Sequence, residues 1–377
     1  MADTRRIPVL DLLRGIAIVG TFASNAWLFA HPCGPAAWLV DSLDGTAASP
    51  VETFLRFLAN GKFLALLTLL FGVGMELQFR SAARRGVRWP GRYLVRAAVL
   101  FVEGLLHYVF VFEFDVLIAY AVTSVIVAFL IGRSDRVATA WIAGVGALHV
   151  LVVGALTVAL AGAPAEPGGP QPGSYLGQVG VRLDQFGLYR AELVLIVPSG
   201  IAMFLLGARL LRARAVAASE AGARIRRRLM AIGAVALPVN LATSFAGPDW
   251  FLLDRYVVAP LVALGLFGLV TTLVLRARRE PGPVQRGMTA VGRTALSCYV
   301  LQNLVAAVLC ASWGFGLAGT LADARPWWVV GLWAGVCGLF TLLATLWLRR
   351  FERGPLEIVL HRLYRPAPAA TPVAGPG

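Results

Sequence analysis

The sequence predicts an all-α fold, a polytopic integral membrane bundle of about 10 transmembrane helices with both termini in the cytoplasm. Three observations predict it. Of 377 residues, 58% are hydrophobic and only 14% charged, with a mean hydropathy of +0.74, outside the range of ordinary water-soluble domains. The apolar residues gather in runs of about 20, the length that crosses ~30 Å of hydrocarbon. The connections between runs alternate between Arg-rich and Arg-poor, as cytoplasmic and outer loops do under the positive-inside rule.

The net charge of +14 would also suit a nucleic-acid partner. The arginines cluster between apolar runs, however, so the partner they indicate is the lipid bilayer, with no nucleic acid. Lys62 is the only lysine. Cys33, Cys298, Cys310 and Cys337 show no paired spacing and three of them lie in apolar segments, which argues against a disulfide framework or a metal site. No Walker loop, dinucleotide fingerprint, HExxH or GxSxG is present, so phosphate-driven pumping, nicotinamide chemistry and zincin chemistry lack support.

The first run, about 8–30, carries no small-residue cleavage site and reads as a retained span. Its Arg14, Thr21 and Asn25 share a narrow angular sector, with Asp11 close beside it. They climb roughly 16 Å at 1.5 Å per residue. Two readings stand: Asp11 and Arg14, one turn apart, are an interfacial ion pair, or the whole stripe lines a polar cavity, since such residues avoid lipid. The second run, about 52–79, spaces Glu52, Arg56 and Asn60 by four, and Glu52 with Arg56 reads most simply as a structural ion pair. Lys62 lies deeper, where a charge costs roughly 2.5–3.5 kcal/mol on insertion scales.

The third run, about 91–111, places Arg96, Glu103 and His107 on one face. Glu103, one turn from His107, is positioned to orient the imidazole and raise its basicity. Glu113 and Asp115 follow the hairpin within reach of the same region. The runs at about 114–132, 137–162, 190–211, 228–246 and 256–276 are plain spans. His31, His149 and His361 read as structural. The run at about 288–311 holds Tyr299, Gln302 and Asn303 on a shared side, which serves equally as packing glue or as part of a polar route. The last run, about 327–348, is followed by more arginines. Residues 163–189 form a Gly/Pro-containing external loop that divides five helices (1–162) from five (190–364), and the Pro/Ala-rich tail 365–377 reads as disordered.

Several stretches together resemble one family. "RIPVLDLLRGIAIVGTFASN", "FLALLTLLFGVGMELQ", "LLHYVFVFEFDVLIAYAV", "VGRTALSCYVLQN" and "FERGPLEIVLHRLY" are similar, in order, to segments of the YeiB-like bacterial membrane proteins, the family of domain of unknown function number 418. Val116 departs from the usual Ile. The resemblance implies a multi-pass protein of the bacterial inner membrane, with 190–364 as its YeiB-like region. It extends to a clan of transmembrane acyltransferases that includes heparan-alpha-glucosaminide N-acetyltransferase. By that likeness His107 is the expected base or acyl carrier and Asp115 its helper, with Glu103 beside them. Asp11, Arg14, Asn25, Arg56, Lys62, Tyr120 and Gln302 are the expected substrate contacts. No permanently bound cofactor is implied. Acyl-CoA would be a co-substrate, the acceptor a sugar, lipid or small molecule, and an oligomer is compatible. The alternative is a proton-coupled small-molecule transporter or exporter, and a third reading is a scaffold without turnover.

Overall fold

A computed structural model of the chain describes residues 7–44, 48–162, 171–277 and 280–364. Pro8 opens α1 (Pro8–Phe29), where its fixed φ suits the first turn and its missing N–H costs nothing. The short α2 (Pro35–Asp44) follows. Then come α3 (Pro50–Ala59), whose first turn is capped by Ser49, and α4 (Lys62–Arg84). These two make one long span interrupted at Asn60–Gly61. Gly61 adopts φ +72°, and an added Cβ there would lie 2.4 Å from the Arg255 carbonyl oxygen, so both backbone conformation and close approach require glycine.

α5 (Arg92–Phe110) and α6 (Leu117–Leu130) form a hairpin. α7 (Asp135–Leu160) starts on a Ser134 cap. After the Gly/Pro segment come α8 (Tyr175–Asp184), α9 (Phe186–Arg190) and α10 (Leu193–Arg212). α11 (Glu220–Phe245) precedes the single turn α12 (Phe251–Leu253), a π-helical turn at Asp254–Val258 and α13 (Ala259–Arg276). α14 (Pro283–Arg293) and α15 (Ala295–Cys310) meet at 93°. The short α16 (Leu317–Thr320), α17 (Trp327–Trp347) and α18 (Pro355–Tyr364) complete the chain.

The architecture is therefore the polytopic helical membrane bundle that the sequence predicts, with two differences in the spans. Among the described residues, 8 helices are long and apolar enough to cross a membrane, or 9 if the bent pair counts as one. The run at 114–132 is helical only over α6, about 21 Å long at 1.5 Å per residue, because Asp115 caps its start. The run at 288–311 is broken rather than straight. Inside the segment read as external loop, α8 and α9 are ordered helices, while residues 163–170 and the tail 365–377 lie outside the described residues.

α1 is the axial helix: 72% of its apolar window is buried, against 11% for α7, which faces outward. Small residues let helices touch α1 and α4 closely. A Cβ on Gly15 would lie 1.8 Å from the Met288 carbonyl oxygen, and one on Gly72 2.0 Å from that of Phe204. In hydrocarbon, where burial of apolar surface drives little, such backbone-to-backbone packing holds helices together. One core runs from Val9 on α1 to Ala344 on α17.

Candidate functional site

The α5–α6 hairpin builds the site. His107 sits in the last turn of α5, and the chain then reverses to place Asp115 ahead of α6. Asp115 Oδ2 accepts from the N–H groups of Leu117 (2.9 Å) and Ile118 (3.4 Å), an N-cap arrangement that fixes the carboxylate. Its Oδ1 lies 2.9 Å from His107 Nδ1 and accepts from the Tyr299 hydroxyl at 3.2 Å. On the other side of the ring, His107 Nε2 lies 3.3 Å from Asn303 Nδ2, and Asn25 Nδ2 donates to Asn303 Oδ1 at 3.2 Å. His107 and Asp115 are each 3% exposed.

The chain of donors selects a tautomer. An ionised carboxylate only accepts, so Nδ1 carries the imidazole proton and Nε2 presents a lone pair. The Asn303 amide then donates to Nε2 and takes a hydrogen bond from Asn25, so Asn25, Asn303 and His107 all donate toward Asp115. The tertiary structure thus joins α1, α5, α6 and α15 at one imidazole whose basic nitrogen is oriented by a buried carboxylate.

The remaining candidates divide. Glu103 makes no hydrogen bond to His107, contrary to the expectation from its spacing; its buried Oε2 has no partner among the described residues. An i,i+4 neighbour shares a helix face, but the imidazole turns toward the hairpin, where Asp115 waits. Glu113 faces away from His107 and pairs with Arg182 at 3.0 Å and with Gln178 at 2.9 Å. Tyr120 is fully buried and ties α6 to Thr68 on α4 at 2.6 Å. Gln302 is buried with both amide atoms unpartnered among the described residues. Asp11 and Arg14 form the i,i+3 pair at 3.1 Å, at the opposite end of the α1 stripe from Asn25.

Arg56 and Lys62 belong to a different place. A cleft of about 310 Å³ opens beside α1, lined among others by Ser24, Trp38, Asp41, Arg56, Asn60 and Asp254. Arg56 donates to Ser42 at 2.6 Å and lies over the Trp38 ring. Glu52 keeps the expected i,i+4 pair with Arg56 at 4.0 Å and adds a shorter one at 2.7 Å with Arg325, a partner far along the chain. Lys62 donates Nζ to the Phe57 carbonyl and sits 4.1 Å from the Phe57 ring centroid. His31, His149 and Arg96 bond Asp41, the Tyr256 carbonyl and Gln78 respectively.

Two residues that sequence reasoning missed hold the hairpin. Arg182 on α8 donates to Glu113, to the Val109 carbonyl (3.1 Å) and to the Val111 carbonyl (3.0 Å). Arg190 on α9 donates to the carbonyls of Asp115 (3.0 Å) and Glu113 and stacks on Tyr108. The signal that marks them is a pair of arginines in an otherwise Arg-poor connection.

Residues 210–366 match the family described as protein of unknown function DUF418. The whole chain is similar to the uncharacterized protein YxaH of Bacillus subtilis, 24% identical over 93% of this chain and 92% of that one. It is also similar to the uncharacterized protein YeiB of Escherichia coli, 27% identical over 94% of this chain and 95% of that one.

Proposed function

We propose that this YeiB-like membrane protein, which carries a DUF418 region, is a transmembrane acyltransferase. It would take an acyl group from cytoplasmic acyl-CoA and deliver it to a hydroxyl or amine of a sugar, lipid or small-molecule acceptor at the outer face. One observation carries the reading: the buried Asp115–His107 pair, with Nδ1 bound to carboxylate and the Nε2 lone pair offered to a displaceable amide. That is the arrangement of a general base with its orienting acid.

In the proposed reaction the acceptor displaces the Asn303 amide from Nε2. His107 removes the acceptor proton as its oxygen or nitrogen attacks the thioester carbonyl. The C–S bond breaks, the new C–O or C–N bond remains, and the proton passes from His107 to the departing CoA thiolate. Asp115 stabilises the imidazolium between these steps. Arg14, partly buried at the far end of the α1 stripe beside Asp11, suits the anionic part of the donor.

One observation favours a second reading, proton-coupled transport. The α14–α15 break packs against α1 near Asp11, and carriers place broken helices at their solute sites. Calorimetric titration of the purified protein in a native-like bilayer with acetyl-CoA and longer acyl-CoAs separates the two. Under acyl transfer, His107→Ala retains donor binding but loses turnover by about 10²–10⁴-fold, and Arg14→Ala weakens donor binding. A wild type that binds no acyl-CoA overturns this assignment. Under transport, solute movement follows the proton gradient and stops when Asp115 is neutralised.

A further inference from the structure

Away from the His107 cluster, the structure holds another buried carboxylate with a different character. Asp254 opens the π-helical turn and is 2% exposed. All its side-chain hydrogen-bond partners are neutral. Oδ1 faces Asn240 Nδ2 and Thr243 Oγ1, each at 2.5 Å, and Oδ2 faces Ser244 Oγ (3.0 Å) and Asn60 Nδ2 (3.3 Å). None of the ion pairs among the described residues includes it. Lys62 is held by the Phe57 carbonyl and ring and Arg255 donates to Asn60 Oδ1 at 2.7 Å, so these two cations act on Asp254 only through space, without a direct ion pair. A buried acid inside a spanning segment normally has a charged partner or a cation, or it gives up its charge.

The hydroxyls around it are counted twice. Thr243 has one proton but three acceptors in reach: Asp254, and the carbonyls of Val239 (3.0 Å) and Asn240 (3.1 Å). Ser244 has one proton for Asp254 and for the Asn240 carbonyl at 2.8 Å. Where both protons go to the backbone carbonyls, two hydroxyl oxygens are left facing the carboxylate, and a cation between them would stabilise that arrangement. Asn240 is fully buried and its Oδ1 has no partner among the described residues; turning the amide over brings that unused oxygen to the position that Nδ2 holds against Asp254. The site also has an entrance, because Asn60, Thr243, Ser244 and Asp254 all line the 310 Å³ cleft.

We propose that Asp254 anchors a binding site for a monovalent hard cation, Na⁺, completed by the hydroxyls of Thr243 and Ser244 and the amide oxygen of Asn240. A single carboxylate neutralises one charge, whereas Ca²⁺ sites gather six to eight oxygens and usually several acids. With neither His nor Cys among the ligands, the chemistry is also wrong for soft or borderline metals. The irregular backbone serves the site: the π-helical turn presents Asp254 toward the α3–α4 break that presents Asn60. The proposal stands independently of acyl transfer, since none of its residues touches His107.

The test is equilibrium binding of radioactive sodium to the purified full-length protein in choline chloride buffer, with thermal unfolding measured alongside. Wild type should bind saturably, with displacement by unlabelled Na⁺ but not by choline, and should melt higher in Na⁺ than in choline. Asp254→Asn should abolish both effects. Thr243→Val, a near-isosteric change that leaves the carboxylate in place, should weaken binding by about tenfold, and it decides the matter if the asparagine variant does not fold. Folded wild type without saturable sodium binding overturns the proposal. So does binding that neither substitution reduces.

Discussion

Replacing Asp115 with asparagine alters one carboxylate oxygen at a point where four hydrogen bonds converge. The amide has two ways to sit, and both lose something. If its oxygen stays toward His107 and Tyr299, its NH₂ group meets the N–H groups of Leu117 and Ile118, and α6 loses its cap, worth about 0.5–2 kcal/mol. If it turns over, the cap survives but NH₂ faces the His107 Nδ1 proton and the Tyr299 hydroxyl. That forfeits hydrogen bonds to a charged acceptor, each worth roughly 1.5–3 kcal/mol. Relief then requires the imidazole proton to move to Nε2, where it meets the Asn303 NH₂ group; Asn303 must flip, and Asn25 after it.

The expected outcome is therefore a loss of about 1–3 kcal/mol, together with either a frayed α6 start or a reversed His107 tautomer. Equilibrium unfolding in mixed micelles measures the first, and nitrogen-15 NMR of histidine-labelled protein reads the second. A variant within about 0.5 kcal/mol of wild type, with Nδ1 still protonated and the Leu117 amide still protected, would refute the donor-chain assignment. Acyl transfer, if it is the activity, should fall with the tautomer.

Three further outcomes follow from the same structure. Arg182→Gln strips the buried Glu113 of its cation and leaves two backbone carbonyls without their donor. It should cost about 3–5 kcal/mol in micellar unfolding, and a cost below about 1 kcal/mol would mean the pair is solvated. In a Cys33→Ser background, a cysteine at Ser174 should react with an impermeant thiol reagent on intact cells while one at Ala218 should not. The reverse pattern would invert the proposed orientation. Burial lowers the His31 pKa below its ordinary 6.5, against the pull of Asp41, and the neutral ring accepts from the Cys33 N–H through Nδ1. The folded state thus binds this proton less readily than the unfolded one. Its contribution to stability is complete above pH 6.5 and is lost as pH falls toward the lowered value. His31→Asn should flatten the difference between melting points at neutral and mildly acidic pH, and an unchanged slope would remove His31 as its source.

The sequence by itself determined the membrane bundle, because hydrocarbon imposes a length and a polarity on every span that composition reveals directly. It also marked His107, Asn25 and the Tyr299–Asn303 side as polar residues that lipid would not accept. Helical periodicity reports only which residues share a face of one helix, and there it pointed to Glu103 for His107 and to Arg56 for Glu52. The tertiary structure put Asp115 at His107 across a hairpin in place of Glu103, and it added Arg325 from a distant connection to the Glu52–Arg56 pair. It alone bent α14 from α15, placed Arg182 and Arg190 under the hairpin, and brought Asn60 to Asp254 across 194 residues. The reason is physical: burial of each polar group in a low-dielectric interior requires a partner, but which partner arrives depends on how the helices pack, and packing in lipid is set by close backbone contacts such as those at Gly15 and Gly72 that leave no periodic trace in the chain.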